Sequence, residues 1–112
     1  MAHSFSMNPL SPHDIRVATI LEATPLEGAR RPAYRLRLDL GELGERWSSA
    51  QLTVHYQPED LTGKQVFAVT SFPPKRIAGF MSECLVLGVD APDGGVVLLV
   101  PDSGVSNGSS VY

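Results

Sequence analysis

At 112 residues the chain has room for one hydrophobic core, which at this size does not divide. It is 43% hydrophobic and 19% charged, with mean hydropathy near zero. No apolar run approaches the roughly 18 residues that crossing a bilayer takes, so no membrane insertion is expected. The formal net charge of -3 speaks against the strong, non-specific nucleic-acid binding of domains with pI above about 9.

The opening stretch "MAHSFSMNPLSPHD" lacks the basic and apolar regions of a secretory signal. Asn8 and Pro9 favour a helix start, but Pro12 limits it to a turn or one irregular helical turn. Residues 1–13 are therefore read as an extension to a domain over residues 14–112. "DIRVATILEA", Asp14 to Ala23, reads as a strand with Ile15, Val17 and Leu21 on one side and Arg16, Ala18 and Ile20 on the other. A polar loop, "TPLEGARRP", follows. Ala33 to Leu40 is the cleanest strand: Tyr34, Leu36, Leu38 and Leu40 make an apolar face, and Arg35, Arg37 and Asp39 lie opposite. "GELG" reads as a hairpin turn into a third strand, "ERWSSA".

A short helix is expected next, with Pro58 in its first turn, Glu59 and Asp60 favouring its N-terminus, and Gly63 ending it. Lys64 to Thr70 reads as the fourth strand, Met81 to Val89 as the fifth, and "FPPKRIAGF" as the loop between them. "DAPDGG" is a tight turn before the β-branched run "GVVLLV". The turn-rich tail "DSGVSNGSSVY" ends in a last short pairing at Ser110 to Tyr112.

Short strands with one helix between the third and fourth describe an all-β, five-stranded Greek-key barrel of the OB type. Such barrels bind ligands on the face of strands 2 and 3, walled by the 1–2 and 4–5 loops. Charge distribution fits that geometry. Residues 28–38 hold Arg30, Arg31, Arg35 and Arg37 with no acid, and residues 61–82 hold Lys64, Lys75 and Arg76 with no acid. Seven of the nine cations thus fall in two windows that an OB barrel makes neighbours, which predicts one basic face on an acidic chain.

Catalytic chemistry has little support. His3, His13 and His55 are scattered, and no phosphate loop, G-x-S-x-G or H-E-x-x-H motif occurs. Ser48 and Ser49 are adjacent hydroxyls with no base nearby in sequence. Cys84 sits in an apolar run and reads as a small buried hydrophobe. As the only cysteine it rules out an internal disulfide and suits a reducing cytosol. No catalytic residue, metal or cofactor is expected.

The stretches "DIRVATILEA", "ARRPAYRLRLDLG", "SSAQLTVHYQPEDLTGKQVFAVTSFPPKRIAGFMSECLVLG", "GVVLLVPD" and "NGSSV" together resemble the CsaA family of export-related cytosolic chaperones. That family is a branch of the tRNA-binding domains appended to methionyl- and phenylalanyl-tRNA synthetases. The resemblance covers nearly all of the chain from Asp14, and "SSAQ" and "FPPKRIAGFMSE" are specific to the branch. It implies an OB fold, a cytoplasmic location, and a homodimer joined through the chain termini and barrel edge. It also implies binding of unfolded preproteins in protein export, with tRNA binding as the ancestral capability. The matching positions are Arg30 and Arg31, then Ser48, Ser49 and Gln51, then Pro73, Pro74, Lys75, Arg76, Gly79, Phe80 and Ser82. The chain departs from the tRNA-binding pattern after Ser82 and Glu83, where Cys84 and Leu85 stand in place of glycine and methionine.

Two ligand readings of the face stay open, beside a third in which the chain is a structural module that only dimerises a larger assembly and binds neither ligand. In the first, unfolded polypeptide segments meet apolar side chains (Trp47, Phe72, Ile77, Phe80, Met81), while Ser48, Ser49 and Gln51 meet their backbone groups. In the second, tRNA phosphates meet Arg30, Arg31, Arg35, Arg37, Lys75 and Arg76, and Trp47 or Phe80 stacks a base. In both, Pro73 and Pro74 pre-set the loop and reduce the ordering cost of binding. Phe72 and Phe80 have a plainer alternative, folding back into the barrel mouth as core.

Overall fold

The computed structural model describes residues 14–112; the expectations placed on residues 1–13, His3 and His13 included, fall outside them. Three long strands open the fold: β1 (Ile15–Pro25), β2 (Tyr34–Asp39) and β3 (Glu45–Ala50). Helix α1 (Pro58–Leu61) precedes β4 (Gln65–Val69). Five short strands follow: β5 (Lys75–Ile77), β6 (Phe80–Ser82), β7 (Leu85–Val86), β8 (Gly88–Asp90) and β9 (Val96–Leu98). The principal sheet is antiparallel in the order β3-β2-β1-β4-β7.

Its two edges approach each other, and side chains complete what the ladder leaves open. Glu83 N donates to Trp47 O at 2.8 Å, and Trp47 N donates to the Glu83 carboxylate at 2.8 Å. Ser49 N donates to the Ser82 hydroxyl at 3.0 Å, and the Ser48 hydroxyl donates to Cys84 O at 2.8 Å. The result is a nearly closed five-strand barrel of the OB type, as the element order predicts.

The alternation of β2 decides the core. Leu36, Leu38 and Leu40 are fully buried and Tyr34 nearly so, while Arg35, Arg37 and Asp39 point outward. Ala18, Ile20, Val66 and Ala68 meet them from β1 and β4, and Leu61 of α1 joins the same core. That helix is a single turn held by local chemistry. Pro58 occupies its first position, the Asp60 carboxylate accepts Gln57 N at 2.9 Å, and Gly63 leaves it at φ +91°.

The side of β1 that carries Ala18 and Ile20 faces the core, and a bulge follows them. The register of β1 against β2 shifts between Ile20 and Glu22, so Ala18 and Ile20 face the core before the bulge and Ala23 after it. Leu21 is displaced outward, and Val17 is buried outside the core cluster beneath the tail. A bulge of this kind bends a strand enough to pair with β4 early and β2 late. The tail takes the edge of β1 that neither neighbour uses. Val17 exchanges backbone hydrogen bonds with Ser109 (3.0 Å) and Gly108 (2.7 Å), and Arg16 bridges to Ser110. Asn107 anchors it, its side-chain oxygen accepting from Thr19 at 2.9 Å and from Gln65 at 3.0 Å.

The single strand expected over Met81 to Val89 is broken into β6, β7 and β8. The region read as a plain loop instead folds back as a hairpin, β5 pairing with β6 from Lys75–Ser82 to Ile77–Phe80. Ala78 (φ +51°) and Gly79 (φ +79°) form its two-residue turn, the backbone sense that matches strand twist. Ala-Gly is not the usual Asn-Gly or Asp-Gly signal, which is why sequence reasoning misses it. The expected "DAPDGG" turn, Asp90 to Gly95, does join β8 and β9, a second small hairpin.

Candidate functional site

The β5–β6 hairpin stands beside the β2–β3 face as a wall with two sides. On its inner side a groove of about 730 Å³ opens between Ala29–Ala33, the end of β3 and the hairpin. Phe72, Ile77, Leu85, Val86, Val96 and Leu98 give it apolar walls, and Ser49 and Gln51 contribute polar groups. Arg30, Arg31 and Lys75 line it as well, all three exposed. Lys75 and Ile77 reach it because they alternate along one side of β5, a period-2 consequence, and Pro73 lines it from just before the strand. Arg76 lies between them, and its guanidinium turns to Gly79 O at 3.4 Å.

On the outer side Arg35 is held between two rings. Its guanidinium carbon lies 5.1 Å from the Trp47 ring centroid and 5.7 Å from that of Phe80. The rings meet edge to face at 5.9 Å and 87°, and Arg35 also donates to the Thr24 hydroxyl at 3.1 Å. Cation–π and edge-to-face contacts suit the ring quadrupole. They tie the hairpin to the sheet, with Gly28 of the first loop passing close to Ala78 at the tip. A shallower recess of about 510 Å³, lined by Arg35, Phe80 and the start of the first loop, lies on this side.

The two basic windows therefore do meet, through Arg30, Arg31 and Lys75. The single basic face expected from these windows is corrected at Arg37. Its guanidinium donates to Glu45 at 2.8 Å and to Glu22 at 3.1 Å, and these two partners raise its pKa. The acids come from β3 and β1, beyond the acid-free window in sequence but opposite it in register. Ser48 is corrected too: it is fully buried, and its hydroxyl closes the barrel instead of facing a ligand. Ser82 is nearly buried at the groove floor, where its hydroxyl accepts Ser49 N and donates to Cys84 O at 3.3 Å. Met81 and Pro74 are exposed on the hairpin but do not line the groove. Phe72 is 42% exposed and Phe80 half-buried, neither of them in the core cluster. Sequence reasoning missed Leu85, Val86, Val96 and Leu98, because apolar runs of that kind read as core.

Cys84 behaves as read. It is buried, and burial pushes its thiol up to about 11. Iodoacetamide is expected to leave it unmodified in the folded protein at mildly alkaline pH and to alkylate it fully in guanidinium. Rapid labelling of the native protein, read by mass spectrometry, would contradict the buried placement. Among the described residues no group of three or more His, Cys, Asp and Glu side chains is placed to hold a metal ion.

A nearly closed OB barrel with a walled groove and an aromatic–guanidinium face is the architecture of a binding module. A family model described as "Putative tRNA binding domain" matches residues 15–110, and the chain belongs to that family, on its CsaA branch. It is 46% identical to the chaperone CsaA from Bacillus anthracis str. Ames, covering 100% of this chain and 97% of that one with a TM-score of 0.85. The CsaA chaperone protein from Picrophilus torridus is 41% identical, with 100% and 98% coverage and a TM-score of 0.84. The methionine–tRNA ligase of Porphyromonas gingivalis is 38% identical over 98 residues, 88% of this chain but 14% of the ligase. The chain thus spans about one seventh of that relative's length.

Proposed function

We propose that the chain is a non-enzymatic, CsaA-like chaperone that holds unfolded preprotein segments in the groove during protein export in the cytoplasm. The observation that carries this reading is the groove itself, about 730 Å³ with mostly apolar walls beside Ser49 and Gln51. Apolar walls accept many side chains, and the two polar residues meet the backbone groups every unfolded segment exposes. Pro73 and Pro74 keep one wall ordered before binding. A homodimer fits the exposed apolar residues Val89, Val97, Leu99, Val100 and Val105 along the β8–β9 hairpin and the segment after it. Sedimentation is expected to give twice the 12.1 kDa chain mass, and a monomer at micromolar concentration would remove the dimer from the proposal.

A second reading, tRNA binding, is favoured by the family match over residues 15–110 and by the exposed cations Arg30, Arg31 and Lys75. Titrating labelled tRNA and a labelled unfolded preprotein at low and moderate salt separates the two. Preprotein binding that persists at moderate salt and falls about tenfold in Ile77→Ala/Leu85→Ala is the expected result, from the apolar area the groove loses. If tRNA binds with steep salt dependence, is lost in Lys75→Ala/Arg76→Ala, and preprotein does not bind at all, the second reading replaces the first.

A further inference from the structure

Every charged residue lining the groove carries the same sign. Arg30, Arg31 and Lys75 line it, and among the described residues no aspartate or glutamate does. None of the three has an acid within ion-pair distance among the described residues, whereas Arg37 is held by two. The chain is net negative, yet its acids lie outside this groove. Low-dielectric walls beside one-signed charges focus the field into the opening. Spacing adds a second restriction. Lys75 and Ile77 share one side of β5 two residues apart, so cation and apolar contact recur about 6.6 Å apart along an extended partner.

Resting on the reading of the groove as a polypeptide site, we propose that it selects extended segments that carry an apolar and an acidic side chain two residues apart. Segments flanked by lysine or arginine are disfavoured. An acid facing Arg30, Arg31 or Lys75 gains an ion pair that the folded chain does not itself supply. A basic flank meets like charge at the same rim, so the basic ends of export signals stay outside the groove while their neighbouring acidic–apolar stretches enter it.

Three fluorescein-labelled peptides of one length and one apolar core, flanked by Glu, Gln or Lys, test this by anisotropy with the full chain. The Glu peptide is expected to bind about tenfold more tightly than the Lys peptide, with Gln between them, and the gap to close as salt rises. In Arg30→Glu/Arg31→Glu/Lys75→Glu the order is expected to invert; all three positions are exposed, and circular dichroism checks the fold. If the triple variant does not fold, Lys75→Glu alone is expected to shrink the Glu-over-Lys preference at least twofold. Equal affinities for the three peptides, a Lys preference, or an order unchanged in the folded variants would overturn the selectivity and leave the polypeptide reading standing. No binding of any peptide would overturn both.

Discussion

Leu36→Ala is expected to lower the unfolding free energy by about 3 kcal/mol, within the roughly 2–5 kcal/mol usual for truncating a fully buried leucine. Leu36 is fully buried on β2, packed among residues from β1, β4 and α1, so the cavity it leaves has little way to collapse. Against a typical total of roughly 5–15 kcal/mol, such a loss moves the denaturation midpoint visibly. The neighbouring Arg37→Ala removes two ion pairs, yet it is expected to move the urea midpoint far less than Leu36→Ala, because both pairs are partly exposed to water. Urea unfolding of the two variants measures the contrast. Equal losses would mean that the outer face of β2 contributes to stability as much as its core face.

Gly41→Ala and Gly108→Ala are each expected to cost about 2 kcal/mol and to free the C-terminal tail for proteolysis. Gly41 sits at φ +65°, where an added Cβ would run into the Asn107 backbone oxygen. Gly108 sits at φ +89°, where its Cβ would lie 2.6 Å from Leu40 O. The two glycines are opposite halves of one contact, the tail against the turn after β2. Once either variant lifts the tail, the second clash is already relieved, so the double variant should lose less than the sum. Limited proteolysis reads tail release and urea unfolding the coupling; tails cut as slowly as in the wild type would refute the contact.

Much of the fold was legible because it rests on local rules. Strand alternation placed Leu36, Leu38 and Leu40 inside and Arg35 and Arg37 outside, as found. Proline, acids and glycine in order marked α1 within a residue or two. The β1 bulge was not legible, because period-2 counting assumes an unbroken register and the shift between Ile20 and Glu22 is set by barrel curvature. The β5–β6 hairpin was missed because Ala78 adopts a conformation its residue type rarely signals.

The sequence by itself determined the element order, the inward face of β2 and the proximity of the two basic loops, since these follow from side-chain periodicity and chain connectivity. Only the tertiary structure decided what each charge and hydroxyl does. Arg37 is neutralised by acids from two other strands, Ser48 is spent on closing the barrel, and Arg35 is locked between Trp47 and Phe80. The physical reason is that periodicity assigns a residue to a face, while its partners are set by cross-strand register between segments far apart in the chain. Arg30, Arg31 and Lys75 line the groove with no acid within ion-pair distance among the described residues.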